Sequence, residues 1–163
     1  MATASGPSLT TGAAPSAPEP TQDHLKASAP VVIDTNIVLD LLVFHDPSCS
    51  ELRAALEGGR LHWLATARMR DELERVIDYP QLKPRLGHHM LSAETVLATF
   101  DAWVSFCPVA PKAPYTCTDP DDQQFIDLAV AHQAVLLSKD KAVLVMRKRL
   151  LKLGVALQLP ASA

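Results

Sequence analysis

Three cysteines, Cys49, Cys107 and Cys117, are all the thiols in this chain of 163 residues. None lies in a CxxC or at zinc-ligand spacing from a His, so a disulfide framework and a structural zinc are excluded. Aromatics are scarce, with two Trp, two Tyr and four Phe. Few rings are therefore free to stack on bases. No apolar run approaches the roughly 20 residues of a membrane-spanning helix, and the first 30 residues lack the basic start and apolar middle of a secretory signal. The expectation is a soluble, cytoplasmic chain with no membrane contact. An excess of positive charge is missing too: 15 Lys and Arg stand against 18 Asp and Glu, a formal net charge of -3. That excludes a chain basic all over, the simplest form of nucleic-acid binder, and leaves only local charge to meet such a partner.

What is present divides near residue 30. Ala, Pro, Ser, Thr and Gly make up 22 of the first 30 residues. Such a segment buries too little apolar surface to offset the entropy of ordering, and residues 1–30 read as a disordered tail. Residues 31–163 hold nearly all the large apolar groups and read as one compact domain. Within it, short apolar runs alternate with stretches of helical period. Val31-Val32-Ile33 is a β-branched run too short for a helix and reads as a buried strand. Leu61 to Leu64, Phe106 to Val109, Val135 to Leu137 and Val155 to Leu159 read as further strands. Helices are predicted from Thr35 through Leu42, from Ser48 to Leu56, after the caps Thr66 and Ser92, from Asp119 onward and from Lys141 to Lys152. The alternation implies an α/β fold, a mainly parallel sheet with helices on both faces, because consecutive parallel strands need a crossover. A ligand site in such a fold lies at the carboxyl ends of the strands, where the strand order reverses.

Four acids stand out against that expectation. Asp34 follows the first strand directly, Asp140 follows Val135 to Leu137 by two residues, Asp122 lies in the first turn of the helix before that strand, and Glu72 lies within the third helix. Separations of 38, 50 and 18 residues mean that only folding can bring them together. A hard divalent cation is the physical reason to gather carboxylates: Mg²⁺ prefers oxygen ligands and is held by a few carboxylates plus substrate phosphate. Without it the group would repel itself and its pKa values would rise. Each acid also has a plainer role available. Asp34 and Asp140 can cap helices, Asp122 can answer a helix dipole, and Glu72 can sit on a solvated face. Among Asp119, Asp121 and Asp122 the spacing leaves a choice, with Asp122 best placed ahead of Phe125-Ile126. Asp127, about 140° further round the helix, should not share the direction of Asp122.

The segments VVIDTN (31–36), RDELERV (70–76), DPDDQQFIDLA (119–129) and LSKDK (137–141) resemble, in order and spacing, the four signature segments of PIN-domain nucleases. The similarity spans residues 31–159 and is closest to the bacterial, VapC-like branch of toxins from toxin-antitoxin pairs. The resemblance implies a Rossmann-like three-layer α/β/α sandwich and a Mg²⁺- or Mn²⁺-dependent endoribonuclease acting on single-stranded or structured RNA. It implies Asp34, Glu72, Asp122 and Asp140 as catalytic, metal-binding acids, with Asn36 and Ser138 as polar support; Asp127, from its place on the helix, is kept as an outer supporting residue. It further implies a cognate antitoxin partner and a homodimer or higher homo-oligomer. One departure is plain: the family's last segment usually carries a second acid, and Lys141-Ala142-Val143 offers none.

Positive charge for a phosphate backbone is concentrated in Lys139, Lys141, Arg147, Lys148, Arg149 and Lys152, against the single acid Asp140. Lys139 and Lys141 adjoin the acids and are the expected substrate contacts. Arg68, Arg70 and Arg75 could extend the groove. No protein nucleophile competes, since the six His form no HxH or HExxH pattern and Ser138 and Cys117 lack a His partner. The alternatives are a receiver-like Mg²⁺-binding signalling module, which expects paired acids after the first strand and an isolated Lys after the last, and a PIN-fold interaction domain without catalysis. A dinucleotide site fails for want of GxGxxG. Deleting residues 1–28 is expected to leave the melting temperature of the chain nearly unchanged in a calorimetric scan; a fall of many degrees would show that the tail belongs to the fold.

Overall fold

The structure, a computed structural model, describes residues 28–162. Except for its last three residues, the expected tail lies outside them. Strand β1, Ala29–Ile33, begins two residues before the expected domain boundary. It is followed by α1 (Thr35–Leu42), a 3₁₀ turn at Pro47–Cys49 leading into α2 (Ser50–Glu57), β2 (Leu61–Ala65), α3 (Ala67–Ile77), α4 (Lys83–His88), α5 (Ala93–Trp103) and β3 (Val104–Phe106). A long loop then reaches a 3₁₀ turn at Pro120–Asp122, α6 (Gln123–His132), β4 (Val135–Leu137), α7 (Lys141–Leu144), α8 (Arg147–Lys152) and β5 (Leu157–Gln158).

All five strands run parallel in the order β3-β2-β1-β4-β5. The chain winds one way from β1 through β2 to β3, then crosses back to β4 on the other side of β1. Right-handed crossovers place the helices of the two halves on opposite faces. Accordingly α1, α2, α3 and α5 pack among themselves, whereas α6 lies on β1 and β4. This is the expected α/β/α sandwich, and the point where the winding reverses falls between β1 and β4.

The central strands are apolar on both sides because both faces are covered. Val31, Val32 and Ile33 in β1 and Leu136 and Leu137 in β4 are all fully buried. On one face Trp63 stands edge-on to Phe100 of α5, with ring centroids 5.1 Å apart. On the other, α6 presents Phe125, Ile126, Leu128 and Ala129. The caps fall where side-chain chemistry put them: Thr66 Oγ1 accepts from Met69 N at 3.2 Å and Ser92 Oγ from Thr95 N at 3.1 Å.

Two expectations are corrected. The third strand is Val104–Phe106, not Phe106 to Val109, because α5 ends at Trp103 and extension starts at once. The basic helix is two short helices, α7 and α8, separated at Val145-Met146, with Met146 buried. Between the helices predicted after Thr66 and Ser92 lies a further one, α4, of one and a half turns, too short to leave a periodic signal. Gly154 follows α8 at φ +82, a left-handed conformation that favours glycine, while the Gln133 side-chain end near it could shift to make room for a Cβ. Leu136→Ala, at the centre of the sheet, should lower the unfolding free energy by about 2–5 kcal/mol in urea titration; a change within error would mean that the site collapses around the lost volume.

Candidate metal centre

The site grows out of the winding reversal. Asp34 closes β1, its backbone N–H donating to Leu137 O of β4 at 3.0 Å, so the first carboxylate is tied to the adjacent strand end. Its side chain caps α1, Oδ1 accepting from Asn36 N at 3.3 Å, while Oδ2 accepts from Ser138 Oγ at 2.8 Å. Ser138, fully buried, in turn accepts from Asp140 N at 3.2 Å. Asp140 caps α7 through Oδ1, which accepts from Ala142 N at 2.9 Å. Asp122 ends the 3₁₀ turn that Asp119 caps by accepting from Asp121 N, and stands immediately before α6.

These three carboxylates, Asp34, Asp122 and Asp140, each offer an oxygen within 4.8 Å of the other two. Of Asp119, Asp121 and Asp122, it is Asp122 that the fold brings to Asp34 and Asp140. Asp119 caps the 3₁₀ turn, and Asp121 lines a neighbouring cavity. Glu72 stands beside the trio rather than in it. Its Oε2 accepts from Thr35 Oγ1 at 3.1 Å and from Gln124 Nε2 at 2.9 Å, residues adjoining Asp34 and near Asp122 in the chain. Neither Thr35 nor Gln124 was read from the sequence, although each lies within two residues of an acid that was.

Electrostatics follow from the crowding. Burial, then the charges of Asp34 and Asp140, push the Asp122 carboxyl up to about 8. Burial raises Asp34 as well, against the pull of the Ser138 hydroxyl and the Asn36 N–H, and it raises Glu72 against the pull of the Thr35 hydroxyl. Asp122 Oδ2 is buried and has no hydrogen-bond partner among the described residues. A buried carboxylate oxygen left unpaired among two other carboxylates is a costly arrangement in a protein alone. The same atom is ordinary if a divalent cation shares it, so the donor set fits a hard metal bound through oxygen.

The remaining expected residues sort differently. The Asn36 side chain is exposed, and its contribution to Asp34 is made by the backbone N–H. Asp127 is a wall-builder: its Oδ1 accepts from Ala113 N and from Gln123 Nε2, both at 2.8 Å, holding the long loop to α6. Lys139 is paired with the buried carboxylate of Asp40, so its charge is already met. Lys141 is exposed at the start of α7 with no ion pair among the described residues. Arg70 is engaged by Asp101, with its Nε at 2.7 Å from Oδ1, and by Glu74.

Buried acids at the winding reversal of a parallel sheet define a metal-site class of α/β domain, and comparison with known proteins narrows it. The PIN domain family profile matches residues 30–142, and the chain belongs to that family. Its members are in general divalent-metal-dependent nucleases. Among solved structures, the chain is similar in fold to the crystal structure of VapBC2 from Rickettsia felis bound to a DNA fragment from their promoter. The TM-score is 0.55 at 13% identity, over 80% of this chain and 98% of that one. No curated protein sequence is similar enough to count as a relative.

A group whose folded pKa is raised binds its proton more tightly in the folded than in the unfolded state. For Asp122, stability is therefore lost as pH rises from about 4 through about 8. Metal-free protein should melt at a lower temperature at pH 8.5 than at pH 6. Mn²⁺ should raise the melting temperature more at the higher pH, since it displaces that proton. Asp122→Asn should flatten the pH slope, raise the metal-free melting temperature at pH 8.5 and remove the metal-induced shift. Differential scanning fluorimetry reads all three, and a wild-type melting temperature that climbs with pH in the absence of metal would contradict the account.

Proposed function

We propose that this chain is an endoribonuclease that hydrolyses phosphodiester bonds of single-stranded or structured RNA with Mg²⁺ or Mn²⁺, and that it is the toxin of a toxin-antitoxin pair. The single observation that carries the chemistry is the buried trio Asp34, Asp122 and Asp140 with its unpaired Asp122 oxygen. Membership of the PIN-domain family supports the nuclease class. The toxin role is supported by the resemblance of the four signature segments and by likeness of fold to a VapBC complex. By the same support the chain works in the cytoplasm, meets a cognate antitoxin and forms a homodimer or higher homo-oligomer.

In this reading Asp34, Asp122 and Asp140 hold the cation, and Glu72 contributes from beside them. A divalent metal bound there supplies Lewis acidity, making bound water nucleophilic and neutralising the charge that builds on the transferring phosphoryl oxygens. The chain's own part is positional. Ser138 orients Asp34 and links it to Asp140; the caps on α1 and α7 fix both carboxylates at their strand ends. Thr35 and Gln124 hold the Glu72 carboxylate beside the trio, where it could orient a water. Lys141, exposed beside Asp140, is placed to meet the phosphate backbone.

Asp34→Asn and Asp140→Asn keep the oxygen that caps each helix and remove the charge. Each should abolish metal-dependent cleavage of a fluorescent RNA while the circular dichroism spectrum and the melting transition are kept. Undiminished cleavage by both variants would sink the assignment.

A further inference from the structure

Beside the acidic trio a cavity of about 400 Å³ opens between α3, the long loop that follows β3, and the start of α6. That volume lies within the range of roughly 300–1,000 Å³ typical of small-ligand pockets. Three observations give it a character. First, its loop wall is already built. Gln123 Oε1 accepts from Cys117 N at 2.7 Å, Gln123 Nε2 donates to Tyr115 O at 3.1 Å, and Asp127 Oδ1 accepts from Ala113 N, so the loop is fastened to α6 at three points. Second, the cations facing it are held in no ion pair. Arg68, Arg75 and Lys112 line the cavity and make no ion pair among the described residues, in contrast to Arg70 and Lys139, which do.

The acids lining the same cavity, Glu72, Asp121 and Asp127, balance these cations in formal charge, but Glu72 and Asp127 have oxygens engaged by Thr35, Gln124, Ala113 and Gln123, whereas the guanidinium groups of Arg68 and Arg75 have no hydrogen-bond partner among the described residues. Third, the cavity carries an uncovered apolar face. Val109 is 65% exposed, and it shares the lining with Ala110 and Pro120. The cavity adjoins the candidate centre through Glu72 and Gln124, which stand beside the trio and line the cavity wall.

We propose that this cavity is a nucleotide subsite that takes one unpaired nucleotide of single-stranded RNA next to the phosphodiester at the acidic centre. Arg68, Arg75 and Lys112 meet its phosphates, and Val109 and its apolar neighbours meet the face of its base. The assignment rests on the nuclease reading of the adjoining centre. A paired base is excluded because it would have to leave its stack to enter. An acidic peptide would also satisfy the cations, but its chain would continue into three carboxylates, whereas a phosphodiester continues into the group those carboxylates hold. The subsite would thus choose which nucleotide stands beside the bond that is cut.

Full-length protein carrying Asp140→Asn, which stops hydrolysis, is titrated without metal against a fluorescent 12-nucleotide single-stranded RNA and against an abasic strand of the same length. Added to this background are Thr116→Trp, which fills the cavity from an exposed position, Thr116→Val, which does not, and the double variant Arg68→Ala/Arg75→Ala. The parent and Thr116→Val should prefer the RNA to the abasic strand about tenfold. Thr116→Trp should bind both strands alike, and the double variant should lose about tenfold on both with a shallower salt dependence. RNA binding by Thr116→Trp and the double variant equal to that of the parent would overturn the subsite. So would unchanged RNA binding accompanied by loss of a poly-glutamate peptide, which would mark a seat for a protein segment. Failure of the wild type to cleave RNA, with the binding differences intact, would overturn the nuclease reading and leave the subsite standing.

Discussion

Three carboxylates held within 4.8 Å of one another at the buried end of a sheet repel, and most of the local architecture answers that repulsion. At 4.8 Å and an effective dielectric constant near 20, two full charges oppose each other by about 3–4 kcal/mol. The fold meets this with an Asp122 carboxyl pushed up to about 8, a hydroxyl from Ser138 on Asp34, and backbone N–H groups at the starts of α1 and α7. The devices at Asp34 and Asp140 require a strand to end where a helix begins. The doubly wound sheet supplies two such junctions side by side at β1 and β4, and the turn before α6 brings the third acid over them.

Positive charge is arranged with similar economy. Lys139 and Arg70, which by sequence position look like substrate contacts, are paired with acids of the chain itself, Asp40 and Asp101. Arg68, Arg75, Lys112 and Lys141 are not, and the first three of these line one cavity beside the acids. A formal charge of -3 is therefore a poor guide to what an approaching polyanion meets. Several acids are turned inward, where a bound cation would reverse their sign, and the unpaired bases are grouped on one side of them.

Much of the frame was legible in the sequence because burial on both faces leaves an uninterrupted apolar signature. Val31 to Ile33 and Val135 to Leu137 announce themselves as inner strands, and the residues after them are thereby placed at the ligand edge. The caps Thr66, Ser92 and Asp34 were equally plain, since their oxygens are written into the chain at the first turn. Three kinds of feature were not legible. Elements of one or two turns, such as α4 and the break between α7 and α8, are too short to show a period. The end of α5 and the start of β3 share one apolar run, so their boundary shifted by two residues. Which charge meets which partner depends on contacts between residues far apart in the chain, as with Lys139 and Asp40 or Glu72 and Gln124, and no local pattern encodes it.

The double duty of the acids as helix caps has a consequence for how such a chain can drift. Replacing Asp34 or Asp140 by Asn keeps the capping oxygen, and replacing Asp122 by Asn removes a repulsion. In the proposed reading, the substitutions that would silence the centre thus leave the caps in place or relieve a repulsion. Selection for stability alone would push such a chain toward well-folded, inert descendants, one base change at a time.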